Sequence, residues 1–364
     1  QDGIWIGDVN AGMQIRFWAE NYDRPLNTNF YQSKPLNMPP SWYNNDKGGF
    51  LMQKNGNTLN TRVFSGARTL EKGETLNFNF GMLITPFKII DTKKHFSTRF
   101  YHSANPVDSV KVYGANTINL HHANEMNPYI NYPFLSVDKL KARVKEAHDE
   151  NMRLKLYYTV RELTAHAPEV HAILSLDGEI FSQRKPSENK RNYGTNGGYP
   201  WLQEHLDSTY MAAWFSNSQE CPAIVNTGVS RWHNYYVEGM NWLVDNIGID
   251  GIYIDDLAFD RTTMKRIRKV LDKRPDPFID LHSANQFNYN DGFVNSAFLY
   301  LEHFPYLDRL WFGEYFKYEN KPDYWMVEVS GLPYGLMGEM LQDGGNLYRG
   351  MIYGMTNRAP RNDP

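Results

Sequence analysis

The sequence predicts an α/β protein in which a (β/α)8 TIM-type barrel follows an antiparallel β-sandwich. Up to about residue 90, apolar and polar residues alternate with a period of two, for example over residues 13–18 and 76–80. Beyond this region, strand-like and helix-like segments alternate, which is typical of a parallel α/β sheet. We therefore expect a β-sandwich domain at residues 1–90, a linker at 91–112 and a barrel domain at 113–364.

The N-terminal domain is already strand-like at its first residues. Residues 3–7 (GIWIG) read as a strand, and turn sequences follow at residues 45–49 and 71–74. A strand at the start of a domain needs partner strands beside it. We therefore expect this sandwich to be incomplete at its N-terminus.

Seven segments of the second domain are strand candidates, against the eight that a complete (β/α)8 barrel needs. Residues 358–364 are loop-like and give no clear eighth strand, so we expect the barrel to be truncated before its last strand. Residues 177–220 are long, polar and aromatic, which favours an active-site loop over a barrel element. The seven candidates are residues 117–120, 154–158, 223–225, 252–254, 278–282, 309–314 and 334–339.

The composition excludes several classes of function. The net charge of −3 gives no basic surface for nucleic acid, and no apolar run is long enough to span a membrane. The one cysteine, Cys221, excludes an internal disulfide and a cysteine metal cluster. Nine Trp and 24 Tyr suit a cleft that stacks on sugar rings. Residues 1–3 show no signal peptide, and we expect the mature form or a fragment of a periplasmic or secreted protein. The sequence does not indicate an oligomeric state.

Two adjacent carboxylates, Asp255 and Asp256, follow the buried strand at residues 252–254. In an α/β barrel, the carboxyl ends of the strands are where catalysis is housed, although one Asp could instead cap the next helix. Glu314 ends another strand candidate, residues 309–314, and would face this pair from a different wall. Cleavage of a glycosidic bond needs two carboxyl groups. The sequence therefore predicts Asp255, Asp256 and Glu314 as catalytic residues.

Polar side chains at the ends of the other strands are candidates for contacts with the hydroxyl groups of a sugar. The alternative for each histidine is a core residue bonded to a backbone carbonyl. Adjacent histidines on a strand point apart, and no H-x-H or H-E-x-x-H spacing occurs, so we expect no metal and no other cofactor. The predicted substrate-binding residues are His121, His122, Tyr158, Arg161, Trp201, Trp214, His282, Asn285 and Glu339.

Seven segments give the chain a resemblance to a known family: residues 5–12 (WIGDVNAG), 21–26 (NYDRPL), 64–68 (FSGAR), 83–87 (LITPF), 251–256 (GIYIDD), 310–314 (LWFGE) and 329–335 (VSGLPYG). They resemble bacterial multidomain proteins related to the glycoside hydrolase 123 group, whose characterised members are β-N-acetylgalactosaminidases. The resemblance extends over essentially the whole chain, and it implies a β-sandwich, a barrel and glycosidase activity.

The resemblance does not settle the mechanism. The characterised group uses an adjacent Asp–Glu pair, with the acetamido group of the substrate as nucleophile, whereas this chain has Asp255 and Asp256. A direct Asp nucleophile with a later acid, as in α-galactosidase-like barrels, fits equally well. We predict a glycosidase acting on a complex polysaccharide or glycan, and the alternative is a non-catalytic carbohydrate-binding barrel module.

Overall fold

The N-terminal domain of the computed structural model consists of antiparallel strands in two sheets. The structure describes residues 3–20, 38–159, 162–181, 222–224, 230–255, 257, 259–283, 300–312, 330–340 and 350–357. Strands β1, β2 and β5 form a three-stranded sheet in the order β1-β2-β5, and β3 pairs with β4 as a hairpin. These strands are β1 (Gly3–Gly7), β2 (Gly12–Trp18), β3 (Gly49–Asn55), β4 (Thr58–Phe64) and β5 (Asn79–Thr85).

One face of the three-stranded sheet packs on the second domain. The rings of Trp5 and Tyr334 meet edge to face at a centroid distance of 5.5 Å, and Arg16 forms an ion pair with Glu302. The backbone N–H of Phe87 donates to the carbonyl of Tyr334 at 2.8 Å. These contacted residues of the second domain lie just before two of its strands, so the N-terminal domain docks at the amino ends of those strands.

The second domain is built on an eight-stranded sheet in which every neighbouring pair is parallel, in the order β6-β7-β8-β11-β12-β13-β14-β15. Strands β9 and β10 form a separate antiparallel pair. The strands are β6 (Phe100–Tyr101), β7 (Thr117–Leu120), β8 (Arg153–Tyr157), β9 (Glu162–Thr164), β10 (Pro222–Ile224), β11 (Gly251–Asp255), β12 (Phe278–Ser283), β13 (Arg309–Phe312), β14 (Met337–Met340) and β15 (Thr356–Asn357).

Side-chain contacts show that this sheet curls into a barrel. Phe100 on β6 lies 5.1 Å from Trp311 on β13 between ring centroids, although five strand spacings separate these strands in the sheet order. A flat sheet would hold them roughly 24 Å apart, at about 4.8 Å per strand. The (β/α)8 TIM-type barrel preceded by antiparallel strands, as predicted from the sequence, is confirmed.

Short helices connect the strands, and none of the described helices is long and apolar enough to cross a bilayer. Asp260 caps α7 by accepting a 2.8 Å hydrogen bond from the backbone N–H of Thr263, as its position before the helix indicates. The helices are α1 (Pro40–Tyr43), α2 (Thr92–Ser97), α3 (Val107–Val112), α4 (Val137–Asp149), α5 (Val170–Leu174), α6 (Arg231–Trp242) and α7 (Arg261–Leu271), with a π-helical turn at Leu243–Ile247.

The structure differs from the sequence expectation in three strands: one candidate lies outside the barrel sheet, and two barrel strands were not predicted. Six of the seven candidates lie in the barrel sheet, while the candidate at residues 223–225 overlaps β10, which pairs with β9 instead. The expected linker at residues 91–112 contains α2, β6 and α3. Strands β6 and β15 complete the eight, and neither was predicted because two residues are too few to show a periodicity.

Strand alternation sorts the residues of the barrel sheet into two sets. Leu156, Ile252 and Ile254 point outward and are buried in the large core between the sheet and the helices. Residues one position away, such as Tyr157 and Tyr253, point into the barrel interior. A second apolar cluster fills that interior, made of Phe100, Ile130, Tyr157, Tyr253 and Trp311.

Candidate active site at the carboxyl ends of the strands

Asp255 is the last residue of β11, and its carboxylate lies between the ends of the two flanking strands. The hydroxyl of Tyr157, on β8, donates to Asp255 Oδ2 at 2.8 Å. Nδ1 of His282, on β12, donates to Oδ1 at 2.7 Å, since an ionised carboxylate can only accept. The side chain of Asp255 stays 24% exposed. The carboxylate is therefore held from both sides yet open to an incoming group.

Aromatic and imidazole rings surround this carboxylate. His121 and His122, which follow β7, contact the Tyr157 ring at centroid distances of 4.2 and 4.5 Å. Tyr253 lies nearly parallel to the His282 ring at 5.8 Å and 22°. His102, which follows β6, contacts His121 at 5.1 Å. Residues on or just after five different strands, β6, β7, β8, β11 and β12, thus line one end of the barrel.

A buried ion pair lies in the barrel interior below these rings. Lys155 and Asp280 pair with each other and are fully buried, and Trp311 Nε1 donates to Asp280 Oδ2 at 3.0 Å. The Lys155 ammonium also lies 4.1 Å from the centroid of Phe100 and 4.7 Å from that of Trp311. Burial lowers the pKa of Lys155 to about 8, against the opposing effect of Asp280.

The structure brings together four of the predicted site residues: Asp255, His282, His121 and His122. Their proximity follows from the parallel sheet, since the carboxyl ends of all its strands meet at one end of the barrel. Six other predicted residues lie outside the described part of the chain, so their positions stay predictions. These are Arg161, Trp201, Trp214, Asp256, Asn285 and Glu314.

Tyr158 does not join the site, contrary to the prediction from the sequence. It is fully buried between the sheet and α6, and its ring stacks on Tyr236 at 4.5 Å and 12°. The Tyr236 hydroxyl donates to the Tyr158 carbonyl at 2.6 Å. Burial raises the pKa of both phenols well above their ordinary value. Successive strand residues alternate, so Tyr158 points outward where Tyr157 points inward.

Glu339 is also placed away from substrate contact. Its carboxylate is fully buried, accepts a 2.7 Å bond from Arg309 Nη1 and accepts the hydroxyl of Thr356. Burial raises the pKa of Glu339, and Arg309 opposes that shift. The contacts join β13, β14 and β15 to one another, so this carboxylate acts as a structural tie within the sheet.

The sequence reasoning missed Tyr157, Lys155 and Asp280. Each of them points into the barrel, and the signal was available in the alternation of their strands. Leu154 and Leu156 are the outward-facing apolar residues of β8, which assigns Lys155 and Tyr157 to the inner face.

A parallel α/β barrel with a hydrogen-bonded carboxylate at the carboxyl ends of its strands has the layout of a barrel enzyme. The chain belongs to the glycoside hydrolase 123 family. The family model described as glycoside hydrolase 123, TIM-barrel domain, matches residues 91–360, and that of the family's third domain matches residues 1–86. No curated protein matches the chain significantly.

The solved structures that the chain matches include a maltogenic α-amylase from Thermotoga neapolitana, with a TM-score of 0.42, 13% identity and coverage of 68% of this chain and 59% of that one. The trehalose-6-phosphate hydrolase of Bacillus licheniformis matches with a TM-score of 0.40 and 11% identity, over 59% of this chain and 48% of that one. The α-amylase of Geobacillus thermoleovorans complexed with acarbose matches with a TM-score of 0.36 and 16% identity, over 56% of this chain and 43% of that one. The chain thus spans about half the length of these structures.

Proposed function

We propose that the protein is a glycosidase that cleaves glycosidic bonds in a complex polysaccharide or glycan, with Asp255 as one of its two reacting carboxylates. Membership of a glycoside hydrolase family supports the reaction class. The observation that carries the role of Asp255 is its position: a partly exposed carboxylate at the carboxyl end of β11, flanked by two hydrogen-bond donors.

The hydrogen bonds favour one of the two carboxylate roles for Asp255. Glycoside hydrolysis needs one carboxyl group that donates a proton and one carboxylate that faces the oxocarbenium-like centre or activates its attacker. Asp255 accepts a hydrogen bond on each oxygen, from Tyr157 and from His282, and this suits a carboxylate that reacts as an anion. The proton donor is then Asp256 or Glu314, the other two carboxyl groups that the sequence predicts as catalytic.

The surrounding rings support a sugar as the substrate. His121 and His282 are partly exposed and combine flat ring surfaces with polar atoms, and a pyranose presents both C–H faces and hydroxyl groups. Among the described residues, no group of three or more His, Cys, Asp or Glu side chains has the arrangement of a metal site. The proposed chemistry rests on a pair of carboxyl groups, as cleavage of a glycosidic bond requires.

The test compares the chain with its Asp255→Asn variant on 4-nitrophenyl glycosides and on plant, algal and host polysaccharides, with released sugars identified by product profiling. We expect wild-type hydrolysis of at least one glycan and a loss of orders of magnitude in kcat in the variant. Asp245→Asn is the matched control, because Asp245 is an exposed carboxylate paired with Lys273 on the helical surface.

Two outcomes would contradict the proposal. If Asp255→Asn keeps wild-type kcat on a true substrate, Asp255 is not a reacting carboxylate. If the wild-type chain binds a glycan in affinity electrophoresis and releases no sugar from any member of the panel, the non-catalytic carbohydrate-binding barrel gains support instead.

A further inference from the structure

Lys155 and Asp280 form an ion pair at a depth where charge is costly. Both side chains are fully buried, and the aromatic rings of Phe100 and Trp311 lie beside the ammonium group. Removing two charges from water often costs more than their attraction returns, so such a pair is weak evidence for stability. Its position in the barrel gives it a different use.

The ion pair and the Asp255 site occupy the same strands at two levels. Lys155 precedes Tyr157 by two residues on β8, and Asp280 precedes His282 by two residues on β12. Two residues along a strand keep the same face and rise about 6.6 Å. The lower level joins β8 to β12 directly, and the upper level joins them through Asp255 on the intervening β11.

Ring contacts connect the two levels. Asp280 Oδ2 accepts a hydrogen bond from Trp311, and the rings of Trp311 and Tyr253 meet edge to face at 5.1 Å and 78°. Tyr253 in turn lies against His282 at 5.8 Å and against Tyr157 at 5.7 Å, between centroids. Tyr157 and His282, which donate to Asp255, therefore both pack against the Tyr253 ring. That ring contacts Trp311, which is hydrogen-bonded to Asp280 of the ion pair.

We propose that Lys155 and Asp280 are positioning residues for Asp255: their ion pair holds β8 and β12 at the spacing at which Tyr157 and His282 both reach its carboxylate. Neither residue needs to touch the substrate. The inference rests on the proposed function for its kinetic consequence, while its geometric consequence is independent of any substrate.

The test uses the double variant Lys155→Met/Asp280→Asn, because a single substitution would leave one buried charge without its partner. Methionine matches the aliphatic stem of lysine without the charged amino group, and asparagine keeps an oxygen that can accept from Trp311. A crystal structure of the variant should show at least one of the hydrogen bonds to Asp255, now 2.8 and 2.7 Å, lengthened beyond 3.5 Å. If both bonds persist unchanged, the proposal is wrong.

Kinetics on the most rapidly cleaved 4-nitrophenyl glycoside provide the second readout. We expect kcat to fall 10- to 100-fold with little change in KM, and the acidic limb of the kcat/KM profile to move to higher pH. That shift follows because hydrogen bonds to a carboxylate favour its ionised form, and the variant loses at least one. An unchanged pH profile in a folded, active double variant would refute the positioning role.

Asp250→Asn separates positioning from stability. Asp250 is a buried carboxylate just before β11, and it accepts 2.8 Å bonds from His148, Arg274 and the backbone N–H of Leu154. Its loss should lower the melting temperature without moving the pH profile. A wild-type chain that cleaves no glycoside would refute the proposed function alone, because the crystallographic comparison still decides the positioning role.

Discussion

Tyr157 and Asp255 end neighbouring parallel strands, and the Tyr157 hydroxyl donates a 2.8 Å hydrogen bond to Oδ2 of Asp255. The Tyr157 ring is buried in the barrel interior, against Tyr253 and the two histidines that follow β7. Packing thus fixes the ring, and the ring fixes the hydroxyl. Asp255 therefore accepts a hydrogen bond from a hydroxyl whose position is set by the barrel strands and not by a loop.

Tyr157→Phe should therefore lower kcat while leaving the fold in place. The substitution removes only the hydroxyl, so the ring contacts with His121 and His122 remain. A hydrogen bond to a charged group is worth about 1.5–3 kcal/mol, which corresponds to a fall of roughly 10- to 150-fold. Steady-state kinetics on the glycoside cleaved by the wild type measures it.

Tyr158→Phe is the matched control for this prediction. The neighbouring tyrosine loses the same atom, but its hydroxyl faces the helices and contacts the Tyr236 carbonyl at 3.3 Å. We expect a small loss of stability in urea unfolding and an unchanged kcat. Equal kinetic losses in the two variants would show that the Tyr157 hydroxyl has no special role.

The same two tyrosines show what the sequence could and could not predict. Residues 154–158 were predicted as a strand, and β8 lies there at Arg153–Tyr157. The last tyrosine was assigned to the site because it ends the apolar run, yet a shift of one residue reverses the face of a strand. Lys155 shows which residues of the strand point inward, because a lysine between two leucines lies on the face opposite to the helices. Tyr157 shares that face, and Tyr158 does not.

Other features leave no local signal in the sequence. Strands β6 and β15 have two residues each, and the register of the sheet defines them, not their composition. The partners Lys155 and Asp280 are 125 residues apart, and Arg309 pairs with Glu339 only because β13 and β14 are neighbours. Polar residues at strand ends could be predicted as a set, but the pairing of buried charges needs the fold.

The three predicted carboxyl groups give a further test. Substituting Asp255→Asn, Asp256→Asn and Glu314→Gln one at a time should lower kcat by two orders of magnitude or more for at least two of the three, since general acid–base catalysis contributes about 10²–10⁴-fold. Circular dichroism checks that each variant is folded. Wild-type turnover in all three would remove the carboxylate mechanism.

Trp201 and Trp214, in the loop predicted at residues 177–220, are predicted to bind substrate and not to take part in the chemistry. Trp201→Ala and Trp214→Ala should mainly raise KM, because stacking on a sugar ring stabilises the ground state and the transition state alike. Kinetics over a full range of substrate concentrations separates KM from kcat. A fall in kcat at unchanged KM in either variant would contradict this role.

Two buried histidines predict how stability depends on pH. His95 donates to the carbonyl of Gly354 at 2.9 Å, and burial together with the nearby Arg309 lowers its pKa to about 3. Burial lowers the pKa of His233 to about 4. Both pKa values lie below the ordinary histidine value of 6.5. As the pH falls, both side chains therefore become protonated in the unfolded chain while they are still neutral in the folded protein.

The unfolded state therefore binds up to two more protons than the folded state between about pH 6.5 and pH 4. Their contribution to stability is complete above pH 6.5 and is lost as the pH falls, with a combined slope approaching 2.7 kcal/mol per pH unit. Urea unfolding from pH 7 to pH 4.5 should show a shallower slope in His95→Gln/His233→Gln than in the wild type. Identical slopes in the wild type and the double variant would mean that neither histidine is held neutral by the fold.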